Sequence, residues 1–385
     1  MNYKIIVLGD ICSDRKYSDW FNTDKLDIIF HDVLPLLQNA DYVVANLEAP
    51  VTERTIKLNK NSVNLKAMPS DISLLYKAGI KAVSLANNHI LDYKTEGLDD
   101  TLRLLSSCNI GYYGISGYCD LSFPYIVSYA DVKIGFLSFA EREFNCAADY
   151  GKGACLWDSI DSLALIKKSK SLCDYLIVQY HGGIEHYIYP SPELQKKCRA
   201  MVEAGADYVT CQHSHIIGTF ERWKGAEILY GQGNTLFGYK RDDKLNSWNY
   251  GLISCISLST NKGFIESKIE YVPIEATTEG IKICDSKKKE GIINSLNQES
   301  KYIQNEEIIQ SKWKDFCKKQ SPTYLPMQYG WSVNFIRLNK LFKGLLFKLL
   351  VSSNKQRNTM NLLRCDAHRE VLQTILETNC YEDQR

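Results

Sequence analysis

The stretch that decides the fold is Lys81–Asp92, KAVSLANNHILD. Its apolar, partly β-branched run at 82–85 predicts a buried strand that ends just before Asn87, Asn88 and His89. In an open α/β sheet, chemistry commonly occurs at the carboxyl ends of strands. Asn88 offers an amide oxygen to a metal ion, and His89 offers an imidazole that titrates near neutral pH. Asn-Asn also forms simple turns, and this stretch in isolation favours that interpretation.

Four more predicted strands end on residues with the same chemistry. Apolar runs at 3–9, 42–45, 175–179 and 207–210 precede Asp10, Glu48, His181, and the pair His213 and His215. Helical patterns lie between or beside these runs, at 32–38, 69–78, 97–107, 159–171 and 191–204. Strands that alternate with helices indicate βαβ units and a layered α/β architecture.

Taken singly, these side chains have simpler explanations. Asp10 suits a cap, Glu48 a solvated charge, and His181 a hydrogen-bonded core imidazole. As a set, carboxylate, amide oxygen and imidazole at neighbouring strand ends predict a site where two divalent cations lie ~3.5–4 Å apart and clamp an in-line displacement.

The overall composition excludes several classes of function. The 46 basic and 45 acidic residues nearly cancel, so nucleic acid is not an expected partner. No apolar run approaches the roughly 20 residues that span a bilayer, and the first residues, MNYKIIVLGDIC, lack the pattern of a secretory signal. The 13 cysteines are scattered without Cys-x-x-Cys pairs, which is typical of reduced thiols and predicts a cytoplasmic protein.

The ordered motifs resemble those of the CapA family of bacterial capsule and poly-γ-glutamate synthesis proteins, a branch of the calcineurin-like metallophosphoesterases. The resemblance covers about residues 1–240. The matching motifs are Gly9-Asp10, Asn46-Leu47-Glu48, Asn87-Asn88-His89 with Asp92, His181-x-Gly-x-Glu185, His213-x-His215 and Gly233-Asn234. The resemblance implies a four-layer αββα sandwich of two mixed sheets with helices outside, and a dinuclear centre of manganese, iron or zinc.

The resemblance also implies individual roles. Asp10 and His215 would bind one metal, and Asn88, His181 and His213 the other. Glu48 would bridge the two. His89 would donate a proton to the leaving group or to the developing charge, oriented by Asp92.

Two further residues are candidate substrate contacts. Glu185 could contact the substrate or hydrogen-bond to a metal ligand, and a solvated surface carboxylate is an equally good interpretation. Asn234 lies in GQGNTLFG, which either presents backbone amides to an anion or forms a tight turn.

The sequence departs from the family pattern at three points. The superfamily begins with Asp-x-His, whereas here Ile11 and Cys12 follow Asp10, so the first metal has one ligand fewer. The usual Gly-His-His-Pro-His is Cys211-Gln212-His213-Ser214-His215. The membrane-anchored members begin with a transmembrane helix that this sequence lacks.

Residues 1–275 are predicted to form the metallophosphoesterase-like domain, and 276–385 a mainly helical extension. Within the extension, LNKLFKGLLFKLL at 338–350 is predicted to be one amphipathic helix with leucines on one face and lysines on the other. Such a helix packs on the catalytic domain or on a second subunit of a homodimer, which is the favoured interpretation, or it lies on an anionic membrane surface.

The leading hypothesis is a dimetal hydrolase that makes or trims a bacterial surface polymer. Its substrate would be a phosphoester, or an amide or ester of an anionic glycan or polyglutamate. Two alternatives are a catalytically degenerate assembly component of a capsule synthesis complex and a γ-glutamyl amidase.

Overall fold

The computed structural model of the chain describes residues 2–15, 19–22, 25–60, 62–117, 123–130, 132–145, 151–241, 247–261, 264–365, 367–369, 371–372 and 375–376. The chain divides into two compact units, Met1–Gln310 and Ser311–Arg385.

The strands all belong to the first unit. In chain order they are β1 (Asn2–Ile11), β2 (Tyr42–Leu47), β3 (Ala82–Ser84), β4 (Gly111–Tyr113), β5 (Ile115–Ser116), β6 (Tyr125–Tyr129), β7 (Val132–Ala140), β8 (Gly153–Ala154), β9 (Tyr175–His181), β10 (Tyr208–Gln212), β11 (Phe220–Trp223), β12 (Ala226–Leu229), β13 (Asn234–Leu236), β14 (Tyr250–Asn261), β15 (Phe264–Ala276) and β16 (Ile281–Ile283).

The helices surround the sheets and continue into the second unit. They are α1 (Leu26–Phe30), α2 (Val33–Gln38), α3 (Pro69–Lys77), α4 (Lys94–Ser107), α5 (Asp161–Lys170), α6 (Pro192–Glu203), α7 (Ser286–Ser300), α8 (Glu306–Gln328), α9 (Val333–Leu341), α10 (Leu345–Leu350) and α11 (Ser353–Arg364), with 3-10 turns at Trp20–Asn22 and Lys301–Gln304. None of the helices that the structure describes is both long and apolar enough to cross a bilayer.

Two mixed sheets organise the first unit. The first has the order β16-β15-β14-β1-β2-β3-β4, and β13 also pairs with β1. Its strands β1 to β4 are parallel, whereas β14 to β16 are antiparallel. The second sheet has the order β11-β12-β10-β9-β7-β6, with a parallel centre and antiparallel edges.

Three apolar clusters show how the layers stack. One cluster joins the two sheets and includes Val7 and Val44 from the first with Phe136 and Ile177 from the second. Another packs the first sheet against α1 to α4, and the third packs the second sheet against α5 and α6. The layers therefore follow the order helix, sheet, sheet, helix, which confirms the predicted αββα sandwich.

Burial on both faces of the sheets explains why the central strands could be predicted from the sequence. Residues 5–11 of β1 and all of β9 are buried. A strand that is covered on both sides needs a continuous apolar run rather than alternation. Because the parallel strands within each sheet end on the same side, their polar carboxyl-terminal residues are brought together.

The division between the units lies later than the residue 275 predicted from sequence. Residues 281–283 form β16, which pairs with β15, and Leu296 of α7 enters the core between the sheets. The lysine-rich composition of this region concealed both features, since only a few of its side chains are buried.

The tail stretch 338–350 does not form the single helix predicted. Helix α9 ends at Leu341 and α10 begins at Leu345, because Lys343 and Gly344 adopt positive φ angles of 50° and 85°. Asn339 holds the reversal by donating to the carbonyl of Pro322 and accepting from the Phe347 amide, at 2.8 and 3.0 Å.

Gly9 provides a test of how tightly the first sheet is closed at the site. A Cβ atom at this position would lie 2.2 Å from the backbone oxygen of Gly233. We therefore expect Gly9→Ala to lower the free energy of unfolding by about 1–3 kcal/mol in urea denaturation. Gly291 in α7 has open space around it, so Gly291→Ala should raise that free energy by about 0.5–1 kcal/mol. Equal stability of Gly9→Ala and the parent protein would contradict this packing.

Candidate metal centre

The two sheets bring all six predicted metal ligands into one buried cluster. Asp10 lies at the end of β1, Glu48 follows β2, and Asn88 lies in the turn after β3. His181 ends β9, while His213 and His215 follow β10. All six side chains are buried. The cluster therefore forms where the carboxyl ends of the central strands of both sheets meet.

Distances within the cluster divide it into two ligand groups that share one residue. Glu48, His181 and His213 each offer one ligand atom within 4.8 Å of the others, and so do Asp10, Glu48 and His215. The Asn88 Oδ1 atom lies 3.0 Å from His181 Nε2, which adds an oxygen to the first group. The family resemblance implies the same division, with Glu48 common to both groups.

Three buried polar atoms in the cluster have no hydrogen-bond partner among the residues that the structure describes. They are both carboxylate oxygens of Glu48 and Nδ1 of His213. An unpaired buried polar group costs about 1–3 kcal/mol. Since Glu48 is fully buried, a divalent cation is the partner whose chemistry suits these oxygens, and the residues fit a metal centre.

Burial also shifts the pKa values of the cluster. Desolvation raises the pKa of Glu48 well above its usual value, and the nearby Asp10 carboxylate raises it further. Desolvation lowers the pKa of His181 and of His215 well below the usual value, helped by the neighbouring His213. The imidazoles are therefore held neutral, which is the state that binds metal ions.

His181 lies between two amide side chains. Asn46 Nδ2 donates to Asp10 Oδ1 at 2.8 Å and also lies 3.2 Å from His181 Nδ1. With Nδ1 accepting from Asn46, the ring proton lies on Nε2 and points to Asn88 Oδ1. A cation bound by Nε2 and Asn88 would replace that proton.

Backbone strain marks the segment that follows β10. His213 and His215 have φ angles of 88° and 56°, a region that bulky side chains rarely occupy. The His213 amide donates to Asp10 Oδ2 at 3.2 Å, which links this turn to β1. Such strain persists only where the surroundings fix it, and it is concentrated at functional sites.

Asn234 bonds to the candidate metal ligand His215, and its predicted substrate contact stays a prediction. Its Oδ1 atom lies 3.0 Å from His215 Nδ1, and its Nδ2 atom donates to the carbonyls of His215 and Trp248. The Phe237 and Trp248 rings each lie 4.8 Å from the His215 ring. These contacts fix the orientation of His215 and leave Nε2 directed toward Glu48, at 3.9 Å from Oε1.

The sequence left open whether the Asn-Asn pair after β3 forms a turn or supplies a ligand oxygen, and the structure is compatible with both. Asn87 builds the turn, since its Nδ2 atom donates to the Leu47 carbonyl at 2.8 Å and its Oδ1 accepts from the His89 amide at 3.1 Å. Asn145 donates to the Asn87 carbonyl at 2.9 Å. With the turn braced in this way, Asn88 presents its oxygen to the cluster.

His89 and Asp92 form a buried pair beside the cluster. His89 Nδ1 lies 2.7 Å from Asp92 Oδ2, and the Leu65 amide donates to the same oxygen at 2.6 Å. With Nδ1 bonded to Asp92, the other ring nitrogen, Nε2, is the one left for a substrate. Asp92 is therefore in hydrogen-bond contact with His89, and the catalytic roles of the two residues stay predictions.

Lys60 also contacts the His89–Asp92 pair, and it was not predicted from the sequence. Its ammonium group forms an ion pair with Asp92 Oδ1 and lies 3.4 Å from His89 Nδ1. Both side chains of the ion pair are 1% exposed. Lys60 lies in a long loop between β2 and α3 with no periodic pattern, so no local signal distinguished it from a solvated lysine.

Glu185 lies in the exposed turn after β9. Its charge is among those that raise the pKa of Glu48. Its predicted substrate contact stays a prediction.

The αββα architecture agrees with the fold that the family resemblance implies. A family model described as bacterial capsule synthesis protein PGA_cap matches residues 4–239. The chain belongs to this family of capsule synthesis proteins, as its motifs predicted.

The chain is also similar to individual proteins. The chain is 30% identical over 243 residues to the capsule biosynthesis protein CapA of Bacillus anthracis, a match of 60% of this chain and 59% of that protein. It is 28% identical over 305 residues to the PGA biosynthesis protein CapA of Bacillus subtilis, covering 77% of this chain and 78% of the relative. Among solved structures, the calcineurin-like phosphoesterase YfkN of Bacillus subtilis aligns with a TM-score of 0.44 and 17% identity, over 79% of this chain and 99% of that chain.

The unpaired carboxylate of Glu48 makes the stability of the metal-free protein depend on pH. Because the pKa of Glu48 is raised on folding, its charge costs nothing below the pKa of the unfolded chain. The cost grows as pH rises through the folded-state pKa. With a chelator present, Glu48→Gln should therefore raise Tm at pH 8 and leave it nearly unchanged at pH 4. The same change in Tm at both pH values would indicate a packing effect and contradict the charge argument.

The buried ion pair predicts a large effect of Lys60→Met. Removing the ammonium leaves Asp92 buried with less compensation, and we expect a loss of about 3–5 kcal/mol in the free energy of unfolding. Lys268 and Glu270 form an exposed pair, with side chains 75% and 63% exposed, so the control Lys268→Met should cost at most about 1 kcal/mol. Similar losses in the two variants would show that Lys60 does not stabilise Asp92.

Proposed function

We propose that the chain is a metal-dependent hydrolase of the phosphoesterase type that acts in making or trimming a bacterial surface polymer. The observation that carries the proposal is the fully buried Glu48 carboxylate, whose oxygens have no hydrogen-bond partner among the described residues and which is common to both ligand groups. A protein that needed only a packed core at this point would gain stability from an apolar residue instead.

The ligands suit two divalent ions of manganese, iron or zinc. Asp10 and His215 would hold one, and His181, His213 and Asn88 the other, with Glu48 shared. Such a pair would supply Lewis-acid activation of water and of the scissile group. The mix of imidazole and oxygen ligands suits transition metals better than calcium or magnesium.

His89 supplies the acid in this proposal. Its Nδ1 atom is held by Asp92 at 2.7 Å, which leaves Nε2 as the ring nitrogen for a substrate. An imidazole held this way can donate a proton to the leaving group as the bond breaks. Lys60 acts as a positioning residue, since its ammonium group pairs with Asp92 and lies 3.4 Å from His89 Nδ1.

The family and its relatives support the substrate class. The matched proteins are named for capsule and PGA biosynthesis, so the proposed substrate is a phosphoester, or an amide or ester of an anionic glycan or polyglutamate chain. The ten cysteines that the structure describes are free thiols. We place the protein in the cytoplasm, since such thiols are typical of reducing compartments.

One observation favours a second candidate, a binding or assembly component of a capsule synthesis complex with a degenerate centre. Ile11 and Cys12, which follow Asp10, are buried, and desolvation raises the pKa of the Cys12 thiol well above its usual value. Among the described residues, Cys12 belongs to neither group of ligand atoms, so it does not supply the missing ligand. Only three charged or imidazole donors, Asp10, Glu48 and His215, remain for the first metal.

The decisive substitution is His89→Ala in protein reconstituted with manganese. Turnover of a generic phosphodiester or of poly-γ-glutamate should fall by about 10²–10⁴-fold, because the general acid is lost. Metal content measured by mass spectrometry should stay near that of the parent, since His89 is not a ligand. The matched control is His368→Ala, an exposed histidine in the second unit, which should leave turnover unchanged.

The substrate that is cleaved distinguishes the three hypotheses, a phosphoesterase, a γ-glutamyl amidase and an assembly component. Hydrolysis of phosphodiesters supports the phosphoesterase, whereas release of glutamate from polyglutamate with no cleavage of aryl phosphates supports a γ-glutamyl amidase. Fewer than one metal ion per chain together with no turnover on either substrate would refute the hydrolase and favour the assembly component.

A further inference from the structure

The second unit exposes an unusual number of large apolar side chains around the reversal at Gly344. We call residues 333–350 the tail surface. Its exposed apolar members are Val333, Phe335, Leu338, Leu341, Phe342, Leu345, Leu349 and Leu350. Leu341 and Leu349 are 77% and 73% exposed. Exposed patches of this kind mark interaction sites in proteins.

These side chains are not left outside by loose packing. The inner positions of the two short helices are filled by Ile336, Asn339 and Phe347, which are buried. The Phe347 ring packs against Tyr329 and Trp331, with centroids 5.4 and 5.8 Å apart. The reversal is fixed by the hydrogen bonds of Asn339, so the leucines are displayed on a packed scaffold.

Basic residues accompany the exposed leucines. Arg337, Lys340, Lys343 and Lys348 are all exposed. Between residues 316 and 365 the sequence has no Asp or Glu. Within the described part of the chain, the structure gives none of these four cations a carboxylate partner. The surface is therefore both apolar and strongly positive, although the whole chain has a net charge of only +1.

We propose that the tail surface binds an anionic phospholipid membrane. Leucine and phenylalanine side chains would enter the boundary between headgroups and acyl chains. The lysine and arginine stems would lie along that boundary while their charged ends meet lipid phosphates. The division of exposed side chains into these two chemical types is what such an interface requires.

Charge argues against two other occupants. A second copy of the chain docking by the same surface would bring two unpaired basic clusters together, since a twofold interface is self-complementary. A soluble anionic polymer such as polyglutamate would satisfy the lysines but would leave the leucines in water. An anionic bilayer satisfies both types of side chain.

The test is co-sedimentation of the full chain with vesicles of phosphatidylcholine alone or containing 30% phosphatidylglycerol. We expect binding to the anionic vesicles only, weakened at 1 M salt because the Debye length shortens to about 3 Å. The charge variant Arg337→Gln/Lys340→Gln/Lys348→Gln should bind about 100-fold more weakly, from about fivefold per residue. The apolar variant Leu341→Gln/Leu345→Gln/Leu349→Gln should lose binding as well.

The matched controls carry the same types of substitution at exposed residues of the first unit. Lys167→Gln/Lys168→Gln/Lys287→Gln removes the same charge from the first unit, and Ile160→Gln/Leu172→Gln removes exposed apolar groups. Both controls should bind as the parent does. Circular dichroism of each variant checks that the fold is retained, which is expected because every substituted side chain is exposed.

Four results would overturn the proposal. One is no binding of the parent to anionic vesicles. Another is equal loss of binding in the tail variants and the controls, which would indicate a general charge effect. The third is a dimer by light scattering that the apolar variant converts to a monomer, without vesicle binding, which would assign the surface to a second copy. Binding to free polyglutamate but not to vesicles would count against it in the same way.

Discussion

The burial of Glu48 between two sheets is the constraint on which the rest of the site depends. A carboxylate that is fully removed from water and has no hydrogen-bond partner among the described residues is costly to place in a folded protein. The sandwich tolerates it because β1, β2, β9 and β10 are held on both faces by apolar contacts. The stability supplied by these layers compensates for the cost of a buried carboxylate that lies beside the Asp10 carboxylate.

Amide side chains control the geometry around this carboxylate. Asn46 links Asp10 with His181, Asn87 braces the turn that carries Asn88, and Asn234 orients His215. Neutral amides suit this role, since they donate and accept without adding charge to a crowded, poorly solvated site. The outer contacts of metal ligands fix tautomer and orientation in this manner. Lys60 is the exception, a buried cation that balances Asp92 outside the ligand cluster.

The sequence predicted the layers and the position of the polar cluster because both depend on local patterns. Continuous apolar runs located β1, β2, β9 and β10, and the polar residue after each run located a member of the cluster. The role of Lys60 and the orientation of Asn234 could not be predicted from the sequence, since each depends on a contact between segments far apart in the chain. The break at Gly344 was overlooked because helical spacing continues through it, and β16 because a three-residue strand carries little signal. The positive φ angles of His213 and His215 likewise follow from the surroundings of the turn and not from residue type.

A pair of metal ions that share Glu48 is the central expectation for this site. The most direct measurement is anomalous X-ray diffraction from crystals grown with manganese, recorded at the manganese absorption edge. We expect two anomalous peaks ~3.5–4 Å apart, one beside Asp10 and His215 and the other beside His181 and His213, with the Glu48 carboxylate between them. No anomalous peak in the cluster, or peaks that Glu48 does not contact, would contradict it.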